Sequence, residues 1–245
     1  MREELTVGRV WAGVPISLAA EARVRAARAL EHLGAEVSDL RVRWSELVGR
    51  VLAQANALVA GRRVRVQVAA PGCGEAVDLV VVRLTARVAA VTLSWASRAW
   101  PDADDGTQPT ADTQASAGRK ILRVKQVEPV WCQAEIAAGT MDAMDYRAHL
   151  FTDPKQEMDA VIYRAGPTGY RLARFRPGPP PHRTVAPLVL DVRPVPVLTR
   201  LEAAASLDET GLGHVFFADA ATGRGRLLYR RFGGDYGRSW RRREL

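Results

Sequence analysis

Lysine is almost absent from this chain. Lys120, Lys125 and Lys155 are its only three, although Lys and Arg together number 35. Cysteine is equally scarce. Cys73 and Cys132 lie far apart in sequence, which argues against a disulfide scaffold or a thiolate zinc site and suits a reducing, cytoplasmic setting. The four histidines, His32, His149, His182 and His214, show no metal-ligand spacing with one another or with the cysteines, so neither metal nor cofactor is expected. No apolar run approaches the ~20 residues of a membrane span, and mean hydropathy is −0.12. The first residues, "MREELTVGRV", are acidic and mixed with no apolar signal core, so export is not expected.

What the chain has instead is arginine. The net charge is +8 and the pI about 10.2. The planar guanidinium fork gives two parallel charge-assisted hydrogen bonds to phosphate, which makes nucleic acid the leading class of partner. An Arg- and Ala-rich proteome would give the same bias without that meaning. At 245 residues and 47% apolar content the chain has room for more than one domain. Residues 97–118, within "SRAWPDADDGTQPTADTQASAGRK", have almost no aliphatic side chains and read as a flexible linker. Residues 177–184, within "RPGPPPHRT", read as a stiff proline spacer. Three folded units are expected, over residues 1–96, 119–176 and 185–245.

The first unit reads β-α-β-β-β-α, an α+β domain. "ELTVGRVWAG" alternates like a strand. "SLAAEARVRAARALEHLGA" reads as a helix with Ser17 as N-cap and Gly34 as terminus, with Leu18, Ala22, Val24, Ala29, Leu30 and Leu33 on its apolar side. "VSDLRVRWSEL" alternates, with Leu40, Val42 and Trp44 on one face and Arg41 and Arg43 on the other. "VLAQANALVA" and "RRVRVQVAAPG" read as strands joined near Gly61. "GEAVDLVVVRLTARVAAVTL" reads as a helix carrying Arg83 and Arg87 four apart on one stripe.

The later two units align with each other. "ILRVKQVEPVWCQAEIAAGTMDAM" lies over "LVLDVRPVPVLTRLEAAASLDETG", with one residue missing later in the second copy. Phe151 then matches Phe217, Asp153 matches Asp219, Tyr163-Arg164 matches Tyr229-Arg230, and Tyr170 matches Tyr236. Each copy reads β-α-β-β with a hairpin at "DPKQEMD" or "DAATGRG". Modules this small have marginal cores and are expected to pair with something. Adjacent Phe216 and Phe217 in a strand face opposite sides, so one fills the core and the other needs a second surface.

"GHVFFADAATGRGRLLYRRFGGDYG" resembles the C-terminal module of the long ribosome hibernation-promoting factors, the ribosomal-subunit-interface protein family. The likeness runs through Gly213, His214, Phe216, Phe217, Thr222, Gly223, Tyr229, Arg230, Arg231, Gly234, Tyr236 and Gly237. The N-terminal unit is similar to the family's ribosome-binding domain, best over "AVDLVVVRLTARVAAV", and the doubled module points to the actinobacterial, dormancy-associated branch. The resemblance implies a non-enzymatic factor that lodges in the decoding channel of the small ribosomal subunit and idles the ribosome under stress. Contacts to ribosomal RNA are expected from Arg23, Arg25, Arg28, Arg83 and Arg87, then from Arg41, Arg43, Arg62, Arg63 and Arg65. Module pairing or docking is expected from Phe151, Tyr163, Phe216, Phe217, Tyr229, Arg230 and Tyr236, with the tandem copies pairing inside one chain. Cys73, in a Gly-rich turn before a helix, lacks a catalytic His or Asn context. The alternative to a ribosome factor is a regulator whose tandem modules bind a protein partner, its RNA affinity incidental. The tail "GRSWRRREL" suits RNA, an acidic protein, or a disordered basic end.

Overall fold

The structure, a computed structural model, describes residues 15–47, 49–92, 121–127, 130–166, 169–176, 178, 187–231 and 236–241. The strand expected over Glu4–Gly13, the 97–118 linker and nearly all of the proline spacer lie outside these residues. The described residues divide into two compact units. One takes 15–92 together with 142–146, the other 121–141 with 147–241. No described helix is long and apolar enough to cross a membrane.

In the first unit, α1 (Ile16–Glu31) is followed by an antiparallel sheet of β1 (Val37–Leu47), β2 (Arg50–Val59) and β3 (Arg62–Ala70), then by α2 (Cys73–Thr92). Alternation puts Leu40, Val42 and Trp44, then Ala53, Ala55 and Ala57, then Val64, Val66 and Val68 on the face beneath the helices. The register sets large side chains beside small ones, Trp44 opposite Ala53 and Ala53 opposite Val68. The β2–β3 turn takes positive φ at both Ala60 and Gly61, the two-residue hairpin geometry whose twist matches the strands, and this fixes Val59 opposite Arg62.

The first helix departs from its sequence reading. It begins at Ile16 with Pro15 at the N-cap position, so Ser17 lies inside its first turn. Its buried stripe is Ala19, Ala22, Ala26 and Leu30, whereas Val24 and Leu33 are exposed. A stripe of alanines lets α1 pack close to the Val- and Leu-rich face of α2, and the larger Val24 falls off that seam.

The second unit runs β4 (Ile121–Val127), α3 (Ala134–Ala143), β5 (Ala148–Asp153), β6 (Met158–Ala165), β7 (Gly169–Arg174), β8 (Leu188–Asp191), β9 (Val197–Leu198), α4 (Arg200–Thr210), β10 (His214–Asp219), β11 (Gly225–Arg230) and β12 (Tyr236–Arg241). The α+β class stands. Each half has one more long strand than expected, β7 and β12, because the chain re-enters the sheet after the Gly-containing segment. The segment expected as a basic tail supplies β12 as far as Arg241.

The two sheets have the orders β5-β6-β7-β8 and β4-β12-β11-β10-β9. The first strand of each half, β4 or β8, therefore leaves the hairpin that follows it, while the short β9 stays beside β10. β4 lies parallel to β12, and β8 lies parallel to β7. The exchange keeps one register: Arg171 pairs Val189, while Gly237, 66 positions after Arg171, pairs Arg123, 66 positions before Val189. The same offset relates the hairpin pairs Ala148–Tyr163 and His214–Tyr229 and the buried helix residues Met141 and Leu207. No missing residue is needed, and the earlier alignment over the first strands was one position out of step.

Phe216 and Phe217 face opposite ways. Phe217 packs with Leu228 beneath Ala203 and Leu207 of α4, whose N-terminus is closed by a Thr199–Glu202 capping box and whose C-terminus ends at Gly211 in the left-handed region. Phe216 joins Leu150, Val161, Ala173 and Leu227 in a layer shared by the two sheets, its ring stacked on Phe175 at 5.3 Å. A polar clamp closes the edge of that layer. Asp159 of β6, 1% exposed at its side chain, accepts Arg224 Nε at 2.9 Å, Arg224 Nη2 at 3.1 Å and the Gly225 N–H at 3.0 Å. Only glycine fits at 225, since a Cβ there would stand 2.6 Å from that of Asp159.

Two stability predictions follow from this layer. Asp159→Ala strands the buried Gly225 N–H and should lower unfolding free energy by about 2–3 kcal/mol, read from urea unfolding of the full chain. The half-buried His214 ring lies 5.1 Å from that of Tyr163, and desolvation, then the nearby Arg147 guanidinium, pushes its pKa down from 6.5 to about 4. Folding therefore favours neutral His214. Its contribution is complete above pH 6.5 and is lost as pH falls from there toward 4. The drop should be on the order of 2 kcal/mol, discounted from the full linkage value because the ring keeps some water. In His214→Gln, thermal unfolding should lose this part of its pH dependence.

Candidate nucleic-acid interface

The outer face of the three-stranded sheet is the polar half of the alternation that builds its core. Cross-strand rows read Arg41–Asn56–Arg65 and Arg43–Gln54–Gln67. Gln67 Nε2 donates to Gln54 Oε1 at 2.7 Å, and Gln54 Nε2 donates to Asn56 Oδ1 at 3.1 Å. These amides form a ladder between the arginines. Arg43 and Arg63 are exposed on this face and have no carboxylate partner among the described residues, while Arg41 pairs with Asp39 at 2.6 Å; Arg62, also exposed, opposes Val59 and alternates to the helix side. Such a face offers charge for phosphates and amide donors and acceptors for sugar hydroxyls or splayed bases.

The helical arginines are arranged differently from expectation. At about 100° per residue, Arg23 and Arg25 flank opposite sides of α1's buried stripe and Arg28 points away from it, so the three do not make one surface. Arg25 is held by Asp78 of α2 at 2.6 Å and by Glu21 at 3.5 Å; the hydrogen bond to Asp78 leads the causes that raise its pKa. Arg83 and Arg87 do share a stripe, but both are engaged. Arg83 donates to both oxygens of Asp145 at 2.9 Å, and Arg87 Nη2 donates to Oδ1 at 2.8 Å. Arg87 is only 9% exposed. Arg65 Cζ lies 4.8 Å from the centroid of the Tyr146 ring, a cation–π contact. The open basic surface is thus the sheet face that the sequence placed second, and the helix pair it placed first is covered.

Among the expected docking residues, Phe151 and Phe217 are core, and Phe216 lies between the sheets. Tyr163 and Tyr229 are half-buried at the rim of the shared layer. The Tyr163 hydroxyl donates to Asp191 Oδ2 at 2.6 Å; desolvation and that bond raise its pKa. Arg230 closes the C-terminal end of α4, Nη2 donating to the Leu207 carbonyl at 2.6 Å and to Asp208 at 3.2 Å, so its visible task is capping. Tyr236 opens β12. No cluster of His, Cys, Asp or Glu able to hold a metal ion occurs among the described residues. The amide ladder of Gln54, Asn56 and Gln67 was not among the expected site residues, although the strict alternation of β2 and β3 carries its signal. Asp145 and Asp159 carry no such signal, because each meets its arginine from more than 50 positions away.

The family described as the Sigma 54 modulation/S30EA ribosomal protein C terminus matches residues 116–172. Two curated relatives, each called "Dormancy associated translation inhibitor", come from Mycobacterium tuberculosis strains CDC 1551/Oshkosh and ATCC 25618/H37Rv. Both are 39% identical over 197 residues, which cover 77% of this chain and 70% of the relative. Identity of this extent, running well beyond the C-terminal match, joins with the α+β fold and the paired-sheet C-terminal half to one conclusion: the chain belongs to the Sigma 54 modulation/S30EA ribosomal protein family, among the long hibernation-promoting factors.

Proposed function

We propose that the chain silences translation by seating its N-terminal unit on the RNA of the small ribosomal subunit, in the decoding channel, over the sites for tRNA and mRNA. Inhibition comes from occupancy, and no bond is made or broken. The observation that carries this reading is the open sheet face, where Arg43 and Arg63 border the Gln54–Asn56–Gln67 amide row. The mycobacterial relatives are named for translation inhibition in dormancy, in keeping with that role. Arg41, in the same outer-face row as Asn56, adds charge beside it.

The C-terminal half closes on itself in this reading. Its two halves are tandem copies of one module that exchange first strands and share the layer around Phe216. The surface through which such modules could pair between molecules is then consumed within one chain, which favours idle single ribosomes over ribosome dimers.

Co-sedimentation of the full chain with small subunits tests the RNA face. If about four phosphates are neutralised, affinity should fall roughly 50- to 150-fold between about 50 and 200 mM salt. The Arg43→Glu/Arg63→Glu double variant, altered only at exposed positions, should bind at least about tenfold more weakly with unchanged thermal stability. Binding indifferent to both salt and charge reversal would exclude the RNA face and favour docking on a protein partner.

A further inference from the structure

Three arginines from two elements converge on a two-residue segment of the first unit. Arg83 and Arg87 of α2 hold the Asp145 carboxylate, whose side chain is 5% exposed, and Arg65 of β3 lies over the adjoining Tyr146 ring. Arg83 makes the two-point fork, Nε to Oδ2 and Nη2 to Oδ1, that a guanidinium also makes on two phosphate oxygens. The Tyr146 ring occupies the place over Arg65 that a nucleobase takes when it stacks on an arginine plane. An acidic group followed by an aromatic ring repeats, in protein, the phosphate and base of one nucleotide.

The fit of this internal occupant is incomplete. Arg87 Nε and Arg65 Nε are buried and have no hydrogen-bond acceptor among the described residues. The Asp145 carboxylate accepts the Arg83 fork and Arg87 Nη2 but reaches neither of those two Nε groups. A backbone phosphate with its ester and sugar oxygens brings more acceptors to the same donors. Asp145 is also held at φ +53, the left-handed region that a non-glycine residue enters at a cost on the order of 1 kcal/mol. The occupant is strained, and it leaves donors unmet in a site suited to a richer anion.

We propose that Arg65, Arg83 and Arg87 form a binding site for one RNA phosphate and its adjoining base, and that Asp145 and Tyr146 keep this site closed in the free chain by standing in for them. The inference rests on the RNA-binding reading above and adds a regulated second contact to its open sheet face. Binding at the sheet face requires no displacement. Engagement of α2 requires RNA to compete Asp145 away, which only a high local concentration of correctly placed phosphate achieves. The chain therefore discriminates its full RNA site from stray nucleic acid.

The test uses the full chain and isolated small subunits at low salt. A site closed about nine-tenths of the time lowers apparent affinity about tenfold, so Asp145→Asn, which keeps shape and removes charge, should bind roughly five- to tenfold more tightly. That gain should vanish when Arg83→Gln and Arg87→Gln are added. Tyr146→Ala, which uncovers Arg65 and leaves the Asp145 pair in place, should by itself bind about two- to threefold more tightly. If Asp145→Asn fails to fold, Tyr146→Ala decides alone. Folded variants that bind no better than wild type overturn the proposal. Loss of salt dependence in the wild type, or indifference to Arg43→Glu/Arg63→Glu, would instead overturn the RNA-binding reading on which it rests.

Discussion

The C-terminal half depends on a shared apolar layer that neither of its parts could bury alone. A hairpin-and-helix module of this size has one face to lay its helix on and a second face left over. Phe217 and Phe216 are the two faces in miniature, one beneath α4 and the other against Leu150, Val161 and Ala173 of the neighbouring sheet. Exposing that layer would leave an apolar patch of the kind soluble chains avoid. The exchange of β4 and β8 adds a mechanical link, because each sheet is completed by a strand that precedes the other half's hairpin or follows its own. Asp159 then fastens the rim, with a carboxylate from one sheet satisfying a backbone N–H and a guanidinium of the other.

The first unit is built on a different bias. Its core is mostly alanine and valine, small enough for two helices to sit close on three strands, and its polar alternation is left over as an open outer face. Arginine contributes in three distinct ways here. Arg43, Arg62 and Arg63 remain exposed, Arg25 ties α1 to α2 through Asp78, and Arg83 with Arg87 grips Asp145. A count of positive charge cannot separate these roles.

What the sequence made legible was local. Period-two alternation gave β1 to β3 and their faces, and the opposed Phe216–Phe217 pair announced the second buried surface. Boundaries set by tertiary packing were less readable. Ser17 had the chemistry of a cap, yet Pro15 takes that position, and Val24 looked like core although alanines line the seam. The strand exchange was invisible for a physical reason: β4 and β8 carry the same pattern whichever sheet they join, and only parallel pairing with β12 and β7 decides the matter. The partners of Arg83 and Arg224 lay beyond any spacing rule, since Asp145 and Asp159 reach them through the fold.

The account's central claim is that the C-terminal half satisfies its own pairing surface within one chain. Sucrose-gradient sedimentation of ribosomes incubated with a saturating amount of the full-length protein tests this most directly. The account predicts that the protein travels with single ribosomes and that no ribosome-dimer peak grows as protein is added. An abundant dimer peak containing the protein would contradict it.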